Sequence, residues 1–192
     1  MTDLLAGLCY IRDALLDKRV LEQLDKIADY DGTTFMHCVS VAQFSIVLGI
    51  HVGLSDDDLQ VLTKASLLHD IGKIFVSYDV LTKPDRLSMD EYRHVQKHVE
   101  LGSDYLQECG FDDRIVRVVR EHHENYDGSG YPDAKSNTSM DVLSQIIRIA
   151  DTYDAMHSER PYQMSVSKRK IYDVFFADNG HCYNPDLIQQ LI

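Results

Sequence analysis

The chain has 192 residues, 44% of them hydrophobic, and its 19 basic and 31 acidic residues give a formal charge of −12. Such a length and apolar content suffice for one domain with a sizeable core and show no sign of disorder. The acidic balance excludes a general phosphate-binding surface for DNA or RNA duplexes, although bound divalent cations can still attract a phosphate locally.

Cys9, Cys38, Cys109 and Cys182 show no Cys-x-x-Cys spacing and stand singly in apolar or helical-looking sequence, which fits a reduced, cytoplasmic setting. The opening MTDLLAGLCYIRDALLDKR carries acids early and lacks a long apolar core, so it reads as an amphipathic helix rather than a leader. No run reaches the roughly 18 apolar residues that span a bilayer, and a soluble protein without a membrane partner is expected.

Helical periodicity dominates throughout. Few stretches alternate, only four prolines interrupt and no repeat is present, so an all-α fold is expected. Residues 1–30 read as one or two short helices with leucines at 4, 5, 8, 15, 16, 21 and 24, serving packing or dimerisation. From Thr33 to about Ile50, apolar residues occupy two opposite faces, the pattern of a buried helix. His37 lies on one of those faces, either as a hydrogen-bonded core histidine or as a ligand.

Ser55 to Asp58 has the form of a capping box with acids over a helix start. Its helix carries Leu59, Leu62, Ala65, Leu67 and Leu68 straight into His69-Asp70-Ile71-Gly72-Lys73. An ionised Asp70 beside a leucine run is costly to bury without a cation, and a carboxylate can bridge two of them. After a loop from Ile74 to Arg86, a second capping box at Ser88–Glu91 opens one helix to about Gln107. On it the stripe Tyr92, Val95, Val99, Gly102 and Leu106 leaves His98 at the buried edge and His94 towards water.

Asp112 to Glu121 reads as a helix with Ile115, Val116, Val118 and Val119 inward and its arginines on a solvated face. It delivers His122 and His123, whose side chains diverge by about 100° and so suit two ions lying side by side. The glycine-laced Gly128-Ser129-Gly130 turn follows, where backbone can approach a ligand closely. A helix from about Ser139 to His157 has Leu143, Ile146, Ile147 and Ala150 as its stripe, with Asp154 within it and Asp151 beside it. Two carboxylates on an apolar face call for cations or guanidinium groups. Beyond Arg160-Pro161-Tyr162, helices at about Ser167–Ala177 and after Asn184-Pro185 read as lid or scaffold.

With HDIGK, HHENYDGSGYP, RIADTYDAM and RPY in this order, the chain resembles the HD-GYP subfamily of HD-domain phosphohydrolases, bacterial phosphodiesterases of cyclic di-GMP, over roughly residues 30 to 190. The resemblance implies an HD-domain helical bundle with a C-terminal GYP-type extension. Within a single domain, residues 1–30 would be N-terminal helices, 31–162 the metal-binding core and 163–192 the C-terminal helices. It also implies that His37, His69, Asp70, His98, His122, His123 and Asp151 hold two divalent metal ions, with Asp70 bridging. Lys73 would sit near the scissile phosphate, and Tyr131, Asp154 and Arg160 would bind the dinucleotide. Ligands of this kind suit iron, manganese or zinc, and the resemblance favours iron or manganese. The implied reaction is hydrolysis by metal-activated water, opening cyclic di-GMP to the linear dinucleotide and on to GMP.

Thr33 stands where members with a third metal carry Glu, so two ions are expected. Asn125 stands where Arg is usual after HHE, and Phe75 and Ser77 replace the common Gly and Pro after HDIGK. These departures leave two other readings open: a cyclic-dinucleotide sensor or interaction module with weak turnover, and an HD hydrolase of another nucleotide phosphoester. A homodimer and signalling proteins are further partners compatible with the resemblance.

Overall fold

The capping residues read in the sequence start their helices where local chemistry requires an acceptor for the first free N–H groups. The computed structural model describes residues 2–157 and 167–191, in which helices joined by turns form the architecture and no strand occurs. In order these are α1 (Thr2–Leu15), α2 (Lys18–Tyr30), α3 (Gly32–His51), α4 (Asp56–Leu68), α5 (Tyr78–Leu81), α6 (Met89–Gln96), α7 (His98–Glu108), α8 (Asp113–Glu121), α9 (Val142–His157), α10 (Lys168–Ala177) and α11 (Pro185–Gln189). Ser88 and Glu91 form the full reciprocal capping box at the start of α6, whereas Ser55 accepts from the Asp58 amide at 3.2 Å at the start of α4.

Helix α3 is the axis of the fold, packed against α1, α2, α4 and α9. Cys38, Val41, Ala42 and Ile46 on it are fully buried. By length and composition α3 could cross a membrane, contrary to the expectation that no run is long and apolar enough. Its contacts are those of a core helix, and it carries a buried histidine into the site. Around it, α4 contributes Leu62, Leu67 and Leu68, α8 Val118 and Val119, and α9 Leu143, Ile146 and Ile147. The C-terminal elements are scaffold: Ile171, Phe175, Leu187 and Ile188 join the same core. On α1 and α2 the buried side chains include Ala14, Val20, Leu24 and Ile27, while Leu8, Leu15, Leu16 and Leu21 face outward. All four cysteines are free thiols.

Three local expectations are corrected. The loop from Ile74 to Arg86 contains α5 and is entered by a 3₁₀ turn, Ile71–Phe75. The single helix expected from Ser88 to about Gln107 is broken at Lys97, and Tyr92, assigned to its buried stripe, is 47% exposed. Behind the break, Gly72 presses against the backbone of His98 and Gly102, so closely that a Cβ on Gly72 would meet the His98 carbonyl oxygen at 1.9 Å. Finally, the arginines of α8 are not simply solvated. Arg114 ties Asp58 at 2.5 Å to Asp141 at 2.8 Å, and Arg117 and Arg120 hold Glu121 and Asp133.

Candidate metal centre

The last carbonyls of a helix have no partner within it, and this chain uses that vacancy three times. His69 at the end of α4, His98 just past the end of α6 and His122 at the end of α8 each turn Nδ1 back to the carbonyl three residues earlier. Their acceptors are Ser66 at 2.7 Å, Val95 at 2.7 Å and Val119 at 2.6 Å. Donation from Nδ1–H fixes the tautomer and leaves Nε2 as a lone pair aimed into the interior. A fourth imidazole, His37 on α3, is oriented by a carboxylate instead, with Asp154 Oδ2 at 2.6 Å from Nδ1.

These side chains gather in two groups whose donor atoms lie close enough to share an ion: His37, His69 and Asp70, and His98, His122 and His123. Asp70 reaches both. Its Oδ2 lies 3.6 Å from His37 Nε2 and 3.5 Å from His69 Nε2, and its Oδ1 lies 3.3 Å from His98 Nε2. Asp151 on α9 has the same two-sided placement, with Oδ1 at 3.1 Å from His37 Nε2 and Oδ2 at 3.9 Å from His123 Nδ1.

Two features show that this cage fits cations. The Nε2 atoms of His98 and His122 face each other at 3.4 Å. With both protons on Nδ1, two lone pairs point at one spot, which is repulsive until a cation occupies it. In addition, the buried His69 Nε2 has no hydrogen-bond partner, a costly omission in a protein interior unless a ligand completes it. Mixed imidazole and carboxylate donors without thiolate suit divalent first-row metals.

The electrostatics are those of a ligand set. Burial pushes the pKa of His98 down to about 4, against the pull of Asp70, and lowers His69, His122 and His123 below the usual imidazole value. Burial would raise the Asp70 carboxyl, but Lys73 and the surrounding histidines hold it well below the carboxylate range. For Asp151 burial acts in the same sense and is likewise outweighed, by His37 first and then His123. Neutral imidazoles and ionised carboxylates are the forms that bind metal. His37 differs: burial lowers it, but hydrogen bonds to Asp151 and Asp154 and the charge of Asp70 raise it to about 9.

Lys73 stands at the rim with Nζ 2.5 Å from Asp70 Oδ2. Tyr131 stacks on the His123 ring at 5.0 Å between centroids, and burial keeps its phenol protonated well above the ordinary range. Asp154, expected among the dinucleotide contacts, is buried at 3% exposure with its Oδ2 on His37 Nδ1. Arg160 lies outside the described residues. His94 is exposed, as its helical position implies, and Thr33 is exposed as well.

Sequence reasoning missed what holds the glycine loop. Glu124 accepts from the amides of Asp133 at 2.7 Å and Lys135 at 3.1 Å, and buried Glu121 accepts from the Asp141 amide and Lys135 Nζ. The histidine-acid adjacency at 122–124 thus joins a ligand group to a loop brace. Gly130 is required by contact: a Cβ there would fall 2.3 to 2.5 Å from the backbone of His123, Glu124 and Asn125.

A family model described as the HD domain matches residues 19–187. The chain belongs to the HD domain family. Among similar proteins is the cyclic di-GMP phosphodiesterase response regulator RpfG of Xanthomonas campestris, 29% identical over 92% of this chain and 47% of that protein. Another is the 3'3'-cGAMP-specific phosphodiesterase 2 of Vibrio cholerae, 32% identical over 83% of this chain and 31% of that protein. This HD domain therefore spans half or less of the length of these curated relatives. The solved structure of Bd1817, an HDG"Y"P protein from Bdellovibrio bacteriovorus, superposes with a TM-score of 0.71 at 22% identity, covering 96% of this chain and 60% of that one. That likeness establishes the shared all-α fold.

Proposed function

We propose that this HD domain is a metal-dependent phosphodiesterase that hydrolyses a 3',5'-cyclic dinucleotide, with cyclic di-GMP as its substrate and two divalent ions, iron or manganese, as its cofactors. The observation that carries the reading is the pair of carboxylates, Asp70 and Asp151, each turning one oxygen to each histidine group. Paired positions of this kind serve in-line displacement at phosphorus. The relatives named for cyclic di-GMP and for 3'3'-cGAMP support the substrate class.

His37, His69, Asp70, His98, His122, His123 and Asp151 would hold the ions, which when bound supply Lewis-acid polarisation of the phosphate and an acidified water. Asp154 holds the His37 ring so that Nε2 stays turned towards Asp70 and Asp151, a role that sets ligand basicity and geometry. Lys73 offers its ammonium at the rim, where negative charge on the phosphate or the departing 3'-oxygen is stabilised. Tyr131, stacked on His123 and kept protonated, presents a ring and a hydroxyl to the ribose or base of the substrate. Glu121 and Glu124 keep that wall in place.

The test is a reconstitution of the metal-free protein with iron(II), manganese or zinc, read by elemental analysis and by chromatography of cyclic di-GMP digests. Two ions per chain and accumulation of the linear dinucleotide or GMP are expected. Tight binding of cyclic di-GMP without product from any metal form would transfer the assignment to a sensor.

A further inference from the structure

A cyclic dinucleotide carries two phosphodiesters, and a cage that takes one leaves the other to be met by a side chain, on a chain whose formal charge is −12. Most arginines with resolved partners are already neutralised. Arg12, Arg19, Arg93, Arg114, Arg117 and Arg120 each pair with a carboxylate.

Arg148 on α9 is built differently. Its Nε and Nη2 donate to Asn125 Oδ1 at 3.3 and 3.2 Å, and its Nη1 donates to Thr152 Oγ1 at 3.1 Å. The guanidinium lies 5.7 Å from the centroid of the Tyr183 ring, and the Cys182 thiol also touches it. All of these partners are neutral, and no carboxylate among the described residues pairs with this half-buried cation. Its side chain is ordered by hydrogen bonds and stacking while its charge stays uncompensated, the state in which a guanidinium fork takes up phosphate with little further loss of entropy.

Its place is equally specific. Arg148 precedes Asp151 by three residues on one helix, about one turn along the same side, and Asn125, which holds it, follows His123 by two residues. The cation is therefore beside the cage and under the glycine loop.

We propose that Arg148 binds the second, non-reacting phosphate of the cyclic dinucleotide, with Asn125 serving to hold the guanidinium without neutralising it. The assignment rests on the cyclic-dinucleotide reading and makes Asn125 a specificity feature of this chain. Arginine follows HHE in the related pattern, whereas here the guanidinium arrives from α9.

Steady-state kinetics of the metal-reconstituted full chain decide it, with cyclic di-GMP and 3'3'-cGAMP as substrates and bis(p-nitrophenyl) phosphate as a single-phosphate comparison. Arg148→Ala should raise KM for the preferred cyclic dinucleotide roughly 10- to 100-fold, the scale of a charged hydrogen bond, with kcat within about threefold and metal content equal to wild type. Arg148→Lys should recover part of that loss. The loss in kcat/KM should exceed the loss on bis(p-nitrophenyl) phosphate by about tenfold or more.

Asn125→Asp provides a second route, because it keeps the arginine and pairs it with a carboxylate. If Arg148 serves the ligand, this variant should also raise KM, by roughly 5- to 20-fold. If Arg148 only braces the loop, the new ion pair should leave KM unchanged. Variants whose KM stays within twofold of an active wild type, or losses equal on all three substrates, overturn the role of Arg148 alone. A wild type that cleaves bis(p-nitrophenyl) phosphate but no cyclic dinucleotide overturns the substrate reading and this inference with it.

Discussion

The two histidine groups of the cage differ in what stands behind them. His98 and His122 are backed by peptide carbonyls at helix ends, and burial holds both imidazoles neutral. His37 is backed by the Asp154 carboxylate and faces Asp70 and Asp151 as well, which raises it to about 9. Asp70 and Asp151 reach both corners, so what sets the second apart is the Asp154 carboxylate behind His37. An ion entering the second displaces the proton that His37 otherwise holds and then gains from the added carboxylate, so the corner at His37 and His69 should be the tighter site once filled, with the corner at His98, His122 and His123 the more readily emptied.

The strongest break in this comparison removes what the corners share. Asp70→Ala should empty both, with metal per chain falling towards zero and cyclic-dinucleotide hydrolysis dropping about a thousandfold or more. Retention of two ions by a folded variant would show that Asp70 does not bridge. Next come the single-corner lesions. His98→Ala and His37→Ala should each leave about one ion per chain and cost roughly a hundredfold in rate. Elemental analysis of both proteins after limited dialysis should find the ion of the His98→Ala variant the better retained, and the reverse order would invert the ranking of the corners.

A smaller lesion acts from behind. Asp154→Asn should weaken one metal equilibrium about 10- to 100-fold while leaving the other, so excess metal restores much of the activity. Titration with manganese, followed by its paramagnetic resonance signal, would expose one shifted site, and two equal unshifted sites would remove Asp154 from the account.

The smallest effect is a control away from both corners. The Asp17 carboxyl is held down to about 2, chiefly by Arg19 and also by Lys64. A carboxyl depressed on folding adds stability that is present above its unfolded value near 3.8 and is lost as pH falls through about 2. Asp17→Asn should therefore flatten the fall in Tm between pH 4 and pH 2 and lower Tm at neutral pH by only about 1–3 °C. Parallel acid melting curves for variant and wild type would contradict that pairing, and a change in metal content would show that the corners are not independent of the scaffold.

Much of the fold was legible because helix signals are local. Ser55, Ser88, Asp112 and Asn184 announce helix starts through their own side chains, and each acts as a cap in the structure. The break at Lys97 was not legible, since it accompanies the close approach of Gly72 to backbone some 26 residues further on. Arg114 on α8 misled for the same reason: its partners Asp58 and Asp141 lie on other segments. In the site, periodicity identified Asp151 and Asp154 as carboxylates on an apolar face but could not tell which would face the cage. Asp154 meets His37 across 117 residues of sequence, a pairing that periodicity cannot show.

The amino-acid order by itself determined the all-α class, the helix starts and the inventory of imidazole and carboxyl groups with their motif spacing, because caps, periodicity and adjacent histidines act over a few residues. Only the tertiary structure decided that Asp70 and Asp151 each turn one oxygen to each histidine group, that three helix-end carbonyls orient His69, His98 and His122, and that Arg148 has only neutral partners among the described residues. Those relations depend on distances of a few ångströms between residues far apart along the chain, which only packing of the helices around α3 can set.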